Sequence, residues 1–337
     1  MARILWQDRY NIEYKDIDAQ HKVLLNFLDE LNDLFDLGGD PKRVSGILHG
    51  LCGYAITHFT LEERYLRAAG YPGLGKQEAE HAAFVQQVLA FDQSFDPSDP
   101  RLQQEMQLFL RQWYMDHILR SDLDYASFMK QYRAEATIKA VLFDFGNVMC
   151  HFDNDRFLAG LAALCGKPAE ALKALLYGQS TLLEDYEAGR IDSQAFLAGA
   201  SDLCGMALPE LEFRRAYTDI FTPMKATFDL IRKLKPGYRI GLVSNTSPWH
   251  FEDAIQTTPV FPLFDSVTLS YEVGASKPDP RLFEDALTKL DLMAEECVYI
   301  DDLAPFAQAA NTHLMHGLTY TTPVALMTEL RRLKVTF

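Results

Sequence analysis

The first 130 residues repeat apolar side chains at helical spacing and contain no stretch that alternates as a strand would. Four long segments carry this period, near 18–37 (AQHKVLLNFLDELNDLF), 41–69 (RVSGILHGLCGYAITHFTLEERYL), 75–94 and 101–130. The breaks between them, LGGDP, GYPGLG and DPSDP, are rich in turn residues. Four helices with short connections predict an all-α, up-down-up-down four-helix bundle over residues 1–131.

The pattern changes after residue 137. IKAVLFDFGNV, YRIGLVSN, DSVTLS and ECVYIDD are short apolar runs ending in polar or glycine residues and separated by helical stretches, which predicts an α/β domain with a parallel sheet over 138–337. The seam near Gln131–Ile138 has no Gly/Ser-rich linker. No internal repeat or low-complexity tract interrupts either half.

The net charge of −15 is spread over both halves: residues 1–130 carry 13 Lys/Arg against 20 Asp/Glu, and the rest carry 19 against 27. Acidic surfaces on both sides argue against nucleic acid or an anionic membrane as the main partner and leave room for a small phosphorylated substrate. With no apolar run long enough to span a bilayer and no basic-then-apolar N-terminal signal, a cytoplasmic protein is expected. The five cysteines are scattered without a C-x-x-C pair, so neither a disulfide framework nor a thiolate zinc site is indicated.

Each predicted helix carries one histidine that could point inward: His21, His58, His81 and His117. Any one alone is ordinarily a satisfied core or surface side chain. His58 and Glu62, four apart, share a helical face, as a terminal and a bridging ligand would. His117 and Asp122 are five apart, about 140° around an ideal helix, so spacing does not select Asp122.

Residues 1–130 resemble a bacterial hemerythrin, an oxygen-binding bundle with a non-haem di-iron centre. The match runs through Trp6, DAQH ending at His21, HFTLEE at 58–63, the GYP turn at 70–72, His81 followed by AAF, and WYMDHILRSD from Trp113 to Asp122. The resemblance implies that His21 and His58 bind one iron (or manganese), that His81 and His117 bind the other, and that Glu62 and Asp122 bridge. It also implies a seventh ligand, a histidine four residues before His81, where this chain has Gln77; the neighbouring Glu78 is a candidate replacement. That departure bears on stable oxygen carriage more than on redox sensing or metal binding.

In the second half, Asp144 falls at the carboxyl end of a buried strand, where open α/β sheets place their chemistry. LVSNTS ends another run with Ser244 and Asn245, GASKPDPRLF offers Lys277 before a proline, and VYIDD ends with Asp301 and Asp302. An aspartate nucleophile can accept a phosphoryl group, Mg²⁺ between Asp144 and Asp302 with Lys277 opposite can offset the charge, and Ser244 and Asn245 can hold the transferring oxygens. Asp301 and Asp302 could instead be helix caps and Lys277 a surface lysine.

This half resembles the haloacid dehalogenase-like hydrolases, in the branch of small sugar-phosphate and nucleotide phosphatases whose first motif reads D-x-G-N-V. The resemblance implies a Rossmann-like core with a helical cap over about 153–221. Most such phosphatases carry a general acid two residues after the nucleophile, where this chain has Gly146; its main-chain carbonyl can still serve Mg²⁺, and His151 or Asp153 could replace the proton donor. Phe306 stands where an acid or amide usually supports the metal. The metal-independent dehalogenase branch also lacks the second aspartate but has no need of paired acids such as Asp301 and Asp302, which favours a phosphatase. The fusion then suggests an oxygen- or redox-gated phosphatase. The alternatives are two uncoupled functions or a catalytically dead phosphate-binding module that relays a redox signal to a protein partner.

Overall fold

A computed structural model of the chain describes residues 4–12, 14–36, 38, 40–96 and 98–337; parts of the LGGDP and DPSDP turns lie outside them. The chain divides into two compact units, residues 1–136 and 137–337. Among the described residues no helix is long and apolar enough to cross a membrane.

The first unit is helical. Its elements are α1 (Lys15–Asp36), α2 (Pro41–Ala68), α3 (Leu74–Ser94), α4 (Pro100–Asp116) and α5 (Leu123–Glu135). Asp40 and Asp99 cap α2 and α4 by accepting backbone N–H bonds, each with proline in the first turn, where its missing donor costs nothing. Helix α2 packs against α1 and α3, and α1 against α4. Leu24, Leu48, Ala55, Val88, Met106 and Leu110 meet in one core. Between α4 and α5, His117–Asp122 forms a π-helical turn.

The second unit is built on a five-stranded parallel sheet, because its central strands are apolar on both faces and must be covered on both. Its strands are β1 (Ala140–Phe143), β4 (Arg239–Ser244), β5 (Ser266–Leu269), β6 (Cys297–Asp301) and β7 (His316–Thr319), in the order β5-β4-β1-β6-β7. The register Phe143↔Ile300 carries the next residues of both strands, Asp144 and Asp301, to neighbouring positions at the sheet's carboxyl edge. Two short antiparallel strands, β2 (Cys150–Phe152) and β3 (Phe221–Pro223), form the stem of the cap. The cap holds α6 (Asn154–Cys165), α7 (Ala169–Ala174), α8 (Leu182–Glu187), α9 (Ser193–Cys204) and α10 (Glu210–Thr218), packed on Phe157, Tyr186, Phe196 and Phe213.

Candidate functional site

The helical unit gathers His21, His58, Glu62, His81, His117 and Asp122, each nine-tenths or more buried. Asp122 presents one oxygen to each side: Oδ2 lies 3.2 Å from His21 Nε2 and Oδ1 lies 3.3 Å from His117 Nε2. Glu62 Oε2 lies 3.1 Å from His81 Nε2, 3.8 Å from His117 Nε2 and 3.9 Å from His58 Nε2. The π turn explains why Asp122 belongs here although an ideal α-helix would turn it away. An i→i+5 turn stacks residue i over residue i+5, which brings His117 and Asp122 onto one face.

Outer partners set how the imidazoles point. His81 Nδ1 lies 2.7 Å from Glu63 and His58 Nδ1 lies 3.0 Å from Gln20 Oε1, so each ring donates outward and keeps the Nε2 lone pair for the interior. Phe59 stacks on His81 at 3.9 Å between ring centroids and Trp113 on His117 at 4.3 Å, which fixes both planes. Burial, then the neighbouring His21, holds His58 well below its usual range, so it stays neutral. Burial opposes charge on His117 too, but Asp122 and Glu62 outweigh it and carry the imidazole up to about 10.

The donor set fits metal ions. Both Glu62 oxygens, both Asp122 oxygens and His58 Nε2 are buried without a hydrogen bond, which a purely structural cluster would not tolerate. Two carboxylates buried within one cluster carry a charge that bound cations would offset. Gln77, one turn before His81, is 3% exposed and its Oε1 also has no hydrogen bond. Glu78 does not replace the absent histidine: it is exposed and pairs with Arg67 at 2.6 Å, because the next position on a helix is turned about 100° away.

In the α/β unit, Lys277 Nζ lies 2.7 Å from Asp144 Oδ1, 2.7 Å from Asp301 Oδ2 and 2.9 Å from Tyr299 OH, with all four side chains buried. Burial pushes Asp144 up to about 6 even with the ammonium beside it. Burial likewise opposes charge on Lys277, but Asp144 and Asp301 more than offset it and raise its pKa. Asp301 also accepts from Tyr299 OH and the Leu303 N–H, so both of its oxygens are engaged. Asn147, held at φ +51°, reverses the chain after β1 and donates to Asp302 at 3.0 Å. Carboxylate oxygens of Asp144, Asp301 and Asp302 lie within 4.8 Å of one another. Three hard carboxylates against one ammonium suit a small divalent cation.

These residues line one wall of a cavity of about 440 Å³, with cap residues Tyr177, Glu184 and Glu187 on its other side. Ser244 is buried and lines it too. Asn245 lines it as well, and its side chain grips the Lys277 main chain, accepting from its N–H at 2.7 Å and donating to its carbonyl at 3.4 Å, which positions the lysine. A Cβ at Gly146 would meet the Phe152 ring at 3.0 Å, so the usual second aspartate's space is taken. Neither proposed stand-in lines the cavity: His151 is exposed and bonded to Asn147, and Asp153 is exposed and caps α6. The Phe306 ring packs 5.3 Å from Lys277 Nζ as a cation–π partner.

Sequence reading missed Gln20, Glu63 and Tyr299. The first two each adjoin a ligand position, which was the available signal, and Tyr299 shares a strand face with Asp301.

Residues 138–312 match the haloacid dehalogenase-like hydrolase family, and residues 13–128 match the hemerythrin HHE cation binding domain. A D-ribitol-5-phosphate phosphatase of Bacteroides thetaiotaomicron is 27% identical over 192 residues, covering 55% of this chain and 90% of that protein. A bacteriohemerythrin of Clostridium acetobutylicum is 30% identical over 125 residues, covering 36% of this chain and 97% of that one. Among solved structures, a HAD-like family hydrolase from Porphyromonas gingivalis has a TM-score of 0.52 at 25% identity, covering 58% of this chain and 99% of that one. A hemerythrin domain implies a non-haem di-iron centre, and the buried imidazole and carboxylate donors suit it. The chain belongs to the haloacid dehalogenase-like hydrolases and carries a hemerythrin domain ahead of its hydrolase domain.

Proposed function

We propose that the α/β unit is a Mg²⁺-dependent phosphomonoesterase that works through an aspartyl phosphate on Asp144, and that the helical unit regulates it in response to oxygen or redox state. The observation that carries the reading is the buried Asp144–Lys277–Asp301 triad on the wall of a cavity sized for a small ester. An Asp144 oxygen attacks phosphorus as the bond to the leaving oxygen breaks, and water then attacks phosphorus and frees the carboxylate. Lys277, fixed by Asp301, Tyr299 and Asn245, offsets charge on the transferring group, while the Ser244 hydroxyl offers it a donor. Asp144, Asp302 and the Gly146 carbonyl would hold Mg²⁺, which when bound supplies further neutralisation between nucleophile and phosphate.

In the helical unit, His21 and His58 would serve one iron, His81 and His117 the other, with Glu62 and Asp122 between them. Gln77 offers at most a neutral amide oxygen in place of a seventh imidazole, which leaves that side open to dioxygen or redox chemistry. The named substrate of the Bacteroides relative makes polyol and sugar phosphates the first to assay.

The test is Mg²⁺-dependent hydrolysis on iron-reconstituted protein, measured anaerobically reduced and then after air. Activity that vanishes in Asp144→Asn supports the phosphatase, and a difference between states that vanishes in His58→Ala supports gating. Equal activity in both states would leave two independent functions on one chain. No hydrolysis of any ester would favour the phosphate-binding relay, which Gly146 and Phe306 suggest.

A further inference from the structure

An alkoxide leaving group needs a proton, and the residue that usually gives it is Gly146 here, with Phe152 in the vacated space. In-line displacement puts the leaving oxygen opposite the attacking Asp144, on the side of the cavity formed by the cap. A donor must therefore come from that wall.

Four cap or hinge groups lining the cavity besides Glu187 carry a titratable proton: Tyr217, whose phenol burial pushes well above its usual range, and Glu184, His250 and Tyr177. Glu184 is exposed to water. His250 spends Nε2 on the Tyr217 carbonyl at 3.0 Å, and burial holds it down to about 4, so its ring is neutral with that donor in use. Tyr177 is 46% exposed, and burial of its phenol together with Glu187 and Asp155 pushes it up to about 12, too weak an acid near neutrality.

Glu187 differs from these. It ends α8, and its main chain is tied to the core: the Ser270 hydroxyl donates to the Glu187 carbonyl at 2.5 Å and accepts from the Thr246 N–H at 2.9 Å. Thr246 follows Ser244 and Asn245 in the loop after β4, so Glu187 is registered against a loop that lines the same cavity. Gly189, at φ +69°, permits the close approach, since a Cβ there would stand 2.2 Å from the Tyr271 carbonyl. No ion pair engages its carboxyl among the described residues, and the one charge bearing on it is the like charge of Glu184. Tyr177, Tyr217 and His250 are the other titratable groups around it, from the turn before α8, from α10 and from the core. Burial, then Glu184, pushes Glu187 up to about 7.

We infer that Glu187, reaching from the cap, is the proton donor to the leaving-group oxygen. The inference rests on the phosphatase reading above. As the P–O bond to the leaving group breaks and the bond to Asp144 forms, the Glu187 proton passes to the departing oxygen, giving the alcohol and a Glu187 carboxylate. In the second step that carboxylate takes a proton from the attacking water, inorganic phosphate leaves, and both side chains return to their starting states.

The test is kcat/KM for an alkyl phosphate, such as ribitol 5-phosphate, beside an aryl phosphate whose nitrophenolate leaves without a proton. Glu187→Gln is expected to cost the alkyl ester about 100-fold or more and the aryl ester less than about 10-fold, with Glu187→Asp restoring part of the alkyl loss. For the alkyl ester, kcat/KM of the unsubstituted chain should fall as pH rises through about 7, because the carboxyl loses its proton, and that limb should be missing in Glu187→Gln. Equal losses on both esters, or none, overturn the inference while leaving the phosphatase intact. Absence of hydrolysis in the unsubstituted chain, or its persistence in Asp144→Asn, overturns the phosphatase reading and Glu187's role with it.

Discussion

Both units bury carboxylates at their functional centres, and they compensate that burial in opposite ways. The α/β site brings its own cation: Lys277 touches both Asp144 and Asp301 and is held from three directions. The helical site arranges imidazole lone pairs around Glu62 and Asp122 and leaves those oxygens without hydrogen bonds. One site sets a cation of its own against two of its carboxylates, whereas the other is a set of donors whose charge only bound cations would offset. Metal should therefore matter for folding in the first unit and chiefly for chemistry in the second.

The largest effect that tests this contrast is removal of the internal cation. Lys277→Met leaves two buried carboxylates facing each other, and the α/β unit should lose about 3–5 kcal/mol in denaturant unfolding. Asp144→Asn, by contrast, keeps a hydrogen-bonding group of the same shape and should cost far less stability. If the two variants were equally stable, Lys277 would not be the compensating charge, and the contrast would fail.

Next in size is metal itself. Chelation should lower the unfolding temperature of the helical unit and leave that of the α/β unit nearly unchanged. With free metal at a thousand times Kd, the stabilisation is on the order of 4 kcal/mol. Gln77→His, by supplying the seventh imidazole, should raise iron retention against a chelator. Equal metal dependence in both units would show that Lys277 does not make the second site self-sufficient.

What could be read from the sequence follows from how local each signal was. Asp144 and Asp301 were legible because β1 and β6 are buried runs that end in an acid, and the run and its end are both visible in one chain segment. Edge strand β7, HGLT, was not, since three half-exposed residues, one of them glycine, and an exposed threonine resemble a loop. His58 and Glu62 obeyed the helical period, but His117 and Asp122 do not, because a π turn supplies their relation and no 3.6-residue pattern encodes it. Glu187 lies in no motif; both it and Glu184 line the cavity, and the Ser270 bond to its main chain and its lower exposure are what distinguish it. His151 and Asp153 were attractive by nearness in sequence to Asp144, and the β2–β3 stem places both outside the cavity.

The smallest expected effect sharpens the comparison most finely, because it separates neighbours in sequence. Gln77 and Glu78 precede His81 by four and three residues, and a carboxylate is the better ligand for iron on chemistry alone. Geometry reverses that preference: Gln77 is buried, whereas Glu78 faces water and pairs with Arg67. An exposed pair of this kind contributes about 0.2–1 kcal/mol. Glu78→Ala should therefore change stability by no more than that and leave the iron content of reconstituted protein unaltered. Gln77→Ala opens a buried space beside His81 and should change the charge-transfer spectrum of the bound iron. A loss of iron in Glu78→Ala would mean that α3 turns when metal binds, and the site would then be assembled by its cations rather than awaiting them.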